Sequence, residues 1–115
     1  MRTVSIPLIV AILALLLPWP CLAVDYDAAV RTVRASYESE TWEPESESIR
    51  KVEFFPASER KFLIVTFRRR GGGSSKPYIY EGFPEALWRE WKAAPSAGRW
   101  YNANLKGNRA FFYSE

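Results

Sequence analysis

The residues of this 115-residue chain whose types and spacing could do chemistry are two tyrosines, Tyr78 and Tyr80, and three consecutive arginines at 68–70. Residues two apart on a strand project to the same side, so the two phenol rings would share one face and could stack nucleic-acid bases. A cationic loop beside them would contact phosphates without reading sequence. In the alternative and commoner arrangement, both rings pack beneath a helix and the arginines form a solvated hairpin tip.

Groups suited to catalysis are scarce. The chain has no His and its single Cys is Cys21, so beyond that point it lacks the usual proton shuttle, thiol nucleophile and zinc ligands. Glu53 and Glu81 could act as acid and base only if the fold placed them together, and their spacing does not require it. The glycines at 71–73 do not form a P-loop, because no Gly-Lys-Ser/Thr follows and the next element is a strand. We therefore expect a protein that binds and is not an enzyme, with no metal and no cofactor.

Further basic and amide side chains could complete an anion-binding surface. Residues 99–108 are polar and contain three asparagines, which bond to nearby backbone and shape loops. This segment is either a structured turn packed by Trp100, Tyr101 and Leu105 or a recognition edge beside the sheet. The candidate ligand-binding residues are Arg68, Arg69, Arg70, Lys76, Tyr78, Tyr80, Arg99, Asn102, Asn104, Lys106 and Arg109.

The first 23 residues are interpreted as an export signal. Arg2 supplies a positive start, residues 4–17 are almost wholly apolar, and Cys21 and Ala23 are small residues where a signal peptidase reads. One alternative is an uncleaved membrane anchor, for which the apolar run is short. Another is lipid modification of Cys21, but Pro20 stands where a small residue is expected. Cleavage near Ala23 would give a periplasmic or secreted protein with no disulfide and no stable membrane insertion.

An amphipathic helix is predicted over residues 24–39. Its apolar positions fall four, three and four apart, at Tyr26, Val30, Val33 and Tyr37. Residues 38–47 are acidic and aperiodic, which is typical of a solvated linker. Residues 24–47 hold seven carboxylates and two arginines, whereas residues 48–115 hold thirteen Lys and Arg and six Glu. Whether the acidic leader neutralises the basic remainder stays open at this point.

The predicted compact part is α+β. Val52 and Phe54 lie on one side of a first strand that also carries Lys51 and Glu53. On a second strand, residues 62–68, one side shows Leu63, Val65 and Phe67 and the other shows Phe62, Ile64 and Thr66. Both faces of this strand are therefore at least partly covered, as in a central strand. The tyrosine strand completes an antiparallel meander of three strands. Pro84 then starts a helix that places Trp88 centrally on the sheet, with Pro95 and Gly98 ending it.

The order of these residues resembles the KTSC domain, a module that stands alone in bacteria and occurs at the C-terminus of some lysyl-tRNA synthetases. The matching residues are Ser48, Ile49, Val52, Phe54, Leu63, Val65, Phe67, Tyr78, Ile79, Tyr80, Phe83, Pro84, Trp88, Ser96, Gly98, Tyr101, Asn102, Leu105 and Lys106. The resemblance implies a small sheet-and-helix fold and an RNA-binding role, to which this chain adds a long Arg and Gly loop, a leader helix and an export signal.

We accordingly divide the chain into an export signal at 1–23, an acidic leader helix and linker at 24–47, and a KTSC-like domain at 48–113. We expect an exported binding module that holds an anionic partner such as RNA through its basic loop. The alternative is a cell-envelope protein-interaction module that uses the aromatic face of the sheet.

Overall fold

A computed structural model describes residues 24–114, so the predicted export signal lies outside the described residues. The described part is α+β, as predicted, and none of its helices has the length and apolarity needed to cross a membrane. In chain order its elements are α1 (Tyr26–Ser36), β1 (Glu40–Trp42), β2 (Ile49–Phe54), β3 (Leu63–Phe67), β4 (Tyr78–Tyr80), α2 (Glu85–Ala93), α3 (Ala97–Asn104) and a 3₁₀ helix (Arg109–Phe111).

The four strands form one antiparallel sheet in the order β1-β2-β3-β4, one strand more than the sequence predicted. The additional strand, β1, lies in the acidic segment 38–47, so the prediction of a solvated linker was wrong for residues 40–42. Trp42 is the physical reason. It pairs with Val52, and its ring packs edge-on against Trp88 and Trp91 at centroid distances of 5.9 and 5.7 Å. One large apolar side chain therefore holds an otherwise polar segment on the sheet edge.

The β2–β3 register determines which side chains share each face. Ile49 pairs with Phe67, but Lys51 pairs with Thr66, so the intervening Arg50 is the extra residue of a β-bulge. The first four residues of β3 are buried, which confirms the prediction that this strand is central and covered on both faces.

The helices α2 and α3 cover one face, with Trp91 at the centre of the packing. Its ring stacks on Trp100 at 5.0 Å and meets Phe83 edge-on at 6.2 Å. Its indole N–H donates to the Ala97 carbonyl at 3.0 Å. Trp88, which the sequence placed centrally, is also buried, but it stacks on Phe54 nearer β1. The centre lies one turn further along α2 than predicted.

The helix α3 replaces the predicted polar turn. Helix α2 ends at Ala93, before Pro95. Ser96 then caps a new helix by accepting from the Arg99 N–H at 3.3 Å. Gly98 lies inside α3 and does not end a helix: a Cβ there would lie 2.8 Å from the Ser48 Oγ, so glycine allows α3 to approach the start of β2 closely.

The predicted leader helix is confirmed as α1, which packs on the opposite face of the sheet. It ends at Ser36, so Tyr37 lies outside the helix, and of the predicted apolar stripe Tyr26 and Tyr37 are exposed. Asp25 caps it by accepting from the Ala28 N–H at 2.9 Å. Val30 and Val33 are buried in a second apolar cluster that includes Ile64 and Ile79. The sheet is thus covered by two helices on one face and by one helix on the other.

The C-terminal residues return to the sheet beside β4. Phe112 forms a bridge with Tyr80, and the Glu81 N–H donates to the Phe111 carbonyl at 3.1 Å. Tyr113 then packs on Phe62 at a centroid distance of 6.1 Å, on the α1 face. This strap connects the two apolar clusters around the sheet edge.

Replacing Trp91 by Ala is expected to lower the free energy of unfolding by about 3–5 kcal/mol, because it leaves a large cavity and removes the hydrogen bond from the indole to the Ala97 carbonyl. Urea unfolding followed by circular dichroism measures the loss. Leu87→Ala, a half-buried change on the same helix, is the matched control and should cost less. An unchanged unfolding midpoint for Trp91→Ala would show that this packing is wrong.

Candidate functional site

A basic hairpin, residues 68–77, connects β3 to β4. Its three glycines at 71–73 have φ of +84°, +101° and +81°, a region that other residues rarely adopt. The Arg69 N–H donates to the Gly73 carbonyl at 3.1 Å, and the Ser75 N–H donates to the Phe67 carbonyl at 2.8 Å. Backbone hydrogen bonds therefore hold the hairpin in a defined conformation, in which Arg69 and Arg70 are presented to solvent.

The three arginines of this hairpin keep their charge unpaired. Arg68 donates through Nε to the Ser46 carbonyl at 2.9 Å, and all three arginines are exposed. Within residues 24–114, no carboxylate lies within 4.0 Å of Arg68, Arg69 or Arg70. Their charge is available to an external anion.

A polar pocket of about 310 Å³ lies next to the hairpin on the α1 side of the sheet. Lys51 and Thr66, cross-strand partners, line it together with Ser74 from the hairpin. Arg34 of α1 and Arg50 of the β-bulge add two cations, and Glu43 adds one carboxylate, as part of the same lining. The pocket thus gathers residues far apart in the sequence.

The two tyrosines of β4 share one face, as the alternation predicted, but their surroundings differ. Tyr80 is only 8% exposed, and its hydroxyl lies 2.5 Å from that of Tyr101 on α3. Tyr78 is 52% exposed, with its ring edge-on to Phe67 at 5.5 Å. Of these two tyrosines, Tyr78 is the one that presents an aromatic surface to a ligand.

Burial raises the pKa of the Tyr80 hydroxyl far above its usual range, and the hydrogen bond to Tyr101 raises that pKa further. Burial likewise raises the pKa of Tyr101. Both phenols are neutral at physiological pH, so the pair acts as a hydrogen-bonded core contact and not as an acid or base.

An apolar cavity of about 790 Å³, which we call the β4-edge cavity, lies where α1 begins beside β4. Tyr78 and Ile79 line it from the strand, Phe112 and Tyr113 from the C-terminal strap, and Tyr26 from α1. Lys76 also lines it, 3.8 Å from the Asp27 carboxylate. This cavity differs chemically from the polar pocket, because aromatic side chains form much of its lining.

The remaining predicted site residues do not join either cavity. Asn104 donates through its side chain to the Trp100 carbonyl at 3.0 Å, which is a local helix contact. Asn102 and Lys106 are exposed on and just after α3, and Arg99 is exposed near its start. Arg109 is exposed in the 3₁₀ helix. The predicted set therefore divides between the basic hairpin, the β4-edge cavity and the outer surface of the C-terminal helices.

Sequence reasoning missed the polar pocket, although it correctly identified the two strands that carry Lys51 and Thr66. It also placed Thr66 on a covered face of the central strand. The sequence did not predict the β-bulge at Arg50, which shifts the register between β2 and β3 by one residue. The distance along the chain from Arg34 to Ser74 also hid the cluster.

The two carboxylates considered for acid–base chemistry each pair with a different arginine. Glu53 accepts from Arg34 at 2.6 Å, and Glu81 accepts from Arg60 at 2.7 Å. Burial opposes the charge on Glu81, but the hydrogen bonds from Arg60 and Ser114 outweigh it and lower its pKa. No group of three potential ligands for a metal ion occurs among the described residues.

In comparisons with known proteins, the family model described as the KTSC domain matches residues 45–111. This match covers more than half of the chain and runs from the segment before β2 to the end of the 3₁₀ helix. It leaves α1 and β1 outside. No curated protein and no solved structure matches the chain.

The tyrosine pair predicts a specific loss of stability in alkali. Because the folded pKa is raised, the stabilisation is complete below the unfolded tyrosine pKa of about 10 and is lost as pH rises toward the folded value. The double variant Tyr80→Phe/Tyr101→Phe should therefore lose less unfolding free energy than the parent between about pH 9 and about pH 11. Urea unfolding across this range measures it, with the exposed Tyr26→Phe as control. Parallel pH profiles for parent and double variant would contradict the buried pair.

Proposed function

The chain belongs to the KTSC domain family, and on that premise we propose that it is a non-catalytic binding module that holds a polyanion through its basic hairpin. RNA is the partner that the family resemblance implies. The observation that carries the proposal is the presentation of Arg68, Arg69 and Arg70 on one glycine-shaped turn, with no carboxylate within 4.0 Å in the described part of the chain.

Binding of this kind depends on phosphates more than on bases. Each neutralised phosphate releases condensed counterions, so affinity falls steeply as salt rises. Base stacking contributes little here, because Tyr80 is buried beneath α3 and only the ring of Tyr78 is half-exposed. We therefore expect little sequence preference.

The acidic leader offsets only part of this positive surface. Its Glu43 lies in the polar pocket with the cations Arg34, Arg50 and Lys51. Its Asp27 lies 3.8 Å from Lys76, between two well-exposed side chains, where an ion pair contributes little. The leader is expected to reduce the affinity for an anion without removing it.

We also propose that the protein acts outside the cytoplasm, after cleavage near Ala23. The apolar run at residues 4–17 and the small residues before Val24 support this. The polyanion would then be one present in the envelope or the medium. Cell fractionation with intact-mass measurement tests the location: a soluble exported species that begins at Val24 is expected, and a full-length cytoplasmic species would contradict it.

A second candidate function is favoured by the β4-edge cavity. The aromatic face of the sheet lies under α2 and α3, so a protein partner could not use that face as the sequence suggested. At the edge, however, Tyr78, Ile79 and Phe112 line a cavity of about 790 Å³ beside a strand of three residues. An apolar peptide of an envelope protein would fit there, and its binding would depend little on salt.

Substitution of the three arginines tests the leading proposal. With a short single-stranded RNA and with long-chain polyphosphate as probes, Arg68→Ser/Arg69→Ser/Arg70→Ser should lower the slope of log affinity against log salt by about 2. Fluorescence anisotropy at several salt concentrations measures it.

A second triple variant, Arg31→Ser/Lys61→Ser/Arg89→Ser, removes the same charge from exposed sites away from the hairpin. This control should retain most of the slope. Equal losses in the two variants, or parental binding that ignores salt, would overturn the hairpin as the binding surface.

A further inference from the structure

We propose that the polar pocket is a specific site for one phosphate-type oxyanion, in which Thr66 donates a hydrogen bond and Lys51, Arg34 and Arg50 supply positive charge. The inference rests on the proposed function, because it identifies where a phosphate group of the polyanion would be anchored. The pocket would also bind inorganic phosphate alone, without the rest of the polyanion.

Thr66 is the observation that points to a ligand. The residue is only 7% exposed, and its Oγ1 has no hydrogen-bond partner among the described residues. The residue lines the pocket while its Oγ1 is fully buried, so a rotation of the side chain about χ1 would turn the hydroxyl toward an anion bound there. Buried hydroxyls are normally paired, and the adjacent positions Val65 and Ile64 show that β3 otherwise uses apolar side chains. Packing alone does not require a hydroxyl here, because Val has the same shape.

Lys51 and Arg34 are held at the pocket by the fold. Lys51 is half-buried and is the cross-strand partner of Thr66. Arg34 donates through Nε and Nη2 to the Glu53 carboxylate at 3.1 and 2.6 Å. This pairing uses one edge of the planar guanidinium and leaves the Nη1 donors free. Glu53 thereby orients Arg34 without occupying all of its donors.

Arg50 and Ser74 complete the lining from two other directions. Arg50 is the extra residue of the β-bulge, and Ser74 bridges Arg68 at the base of the hairpin. Neither Lys51 nor Arg50 has a carboxylate within 4.0 Å among residues 24–114, although Glu43 also lines the pocket. With Glu53, which pairs with Arg34, and Glu43 of the lining, two carboxylates oppose the three cations, so the site stays cationic by one charge.

The arrangement favours a tetrahedral oxyanion over a carboxylate. Two hydroxyl residues and three cations come from α1, β2, β3 and the hairpin, so donors surround the pocket and do not form a single planar fork. A volume of about 310 Å³ is at the small end of ligand sites. It suits a phosphate group with an attached sugar rather than a longer ligand.

The test is an NMR titration of the full chain with inorganic phosphate at constant ionic strength, with chloride as the reference anion. Saturable shifts are expected at the amides of Lys51, Thr66 and Ser74. Thr66→Val, which keeps the shape but removes the hydroxyl, should weaken phosphate binding by about tenfold or more. Thr66→Ser is the matched control and should retain binding, and Glu43→Gln should strengthen it. Absence of saturation, or equal binding by Thr66→Val and the parent, would overturn the site.

Two further comparisons identify which phosphate of an RNA the pocket binds and test the pocket separately from the proposed function. Tighter binding of a 5′-phosphorylated short RNA than of its unphosphorylated copy would support anchoring of a terminal phosphate, whereas equal binding that Thr66→Val weakens would support an internal phosphodiester. Phosphate binding without RNA binding would support the pocket while contradicting RNA as the partner. RNA binding that falls with salt but is unchanged in Thr66→Val, with no phosphate saturation, would overturn the pocket and leave the basic hairpin as the binding surface.

Discussion

The packing of Trp91 between two helices is the interaction on which the rest of the structure depends. Its indole N–H reaches the first residue of α3, and its ring stacks on Trp100 of that helix. This contact fixes α3 against α2 after the short break at Pro95. Once α3 is fixed, Tyr101 lies over the sheet within hydrogen-bond distance of Tyr80. The tyrosine that could have formed an open stacking surface is thereby part of the core.

The two faces of the sheet consequently have different roles. Helices α2 and α3 close the aromatic face, whereas α1 covers the other face only over its apolar part, where Val30 and Val33 meet Ile64. Beyond α1, the same face carries Lys51 and Thr66 and ends at the basic hairpin. The part of this face that lies next to the hairpin is thus polar and cationic. This explains why the binding proposal depends on the hairpin and not on the tyrosines.

The sequence predicted the elements whose pattern is strong. These elements are the helix α1, the strand β3 that is covered on both faces, and the strand that places Tyr78 and Tyr80 on one face. Each could be predicted because its pattern depends on residues near one another in the chain. The strand β1 was not legible, since three residues with a single large apolar side chain carry no periodic signal. The helix α3 was hidden because Gly98 normally disfavours a helix, and only the Ser48 side chain against it explains the glycine.

Prediction from local sequence patterns was even less complete for the candidate site than for the fold. Arg68, Arg69 and Arg70 could be named from the sequence because they are consecutive, but the polar pocket depends on a β-bulge and on a helix packed across the sheet. Neither the bulge nor that packing leaves a local pattern. Residues 34, 51 and 66 become neighbours only through tertiary structure, so a pocket of this kind requires coordinates.

The most direct test of the account is to map, by amide chemical shifts of the full chain, where a short single-stranded RNA or polyphosphate binds. The account predicts that the largest shifts fall in the basic hairpin and at Lys51 and Thr66, with little change at Ile79 and Phe112. Shifts concentrated instead at Ile79, Phe112 and Tyr113 would place the ligand in the β4-edge cavity and would contradict the hairpin as the functional surface.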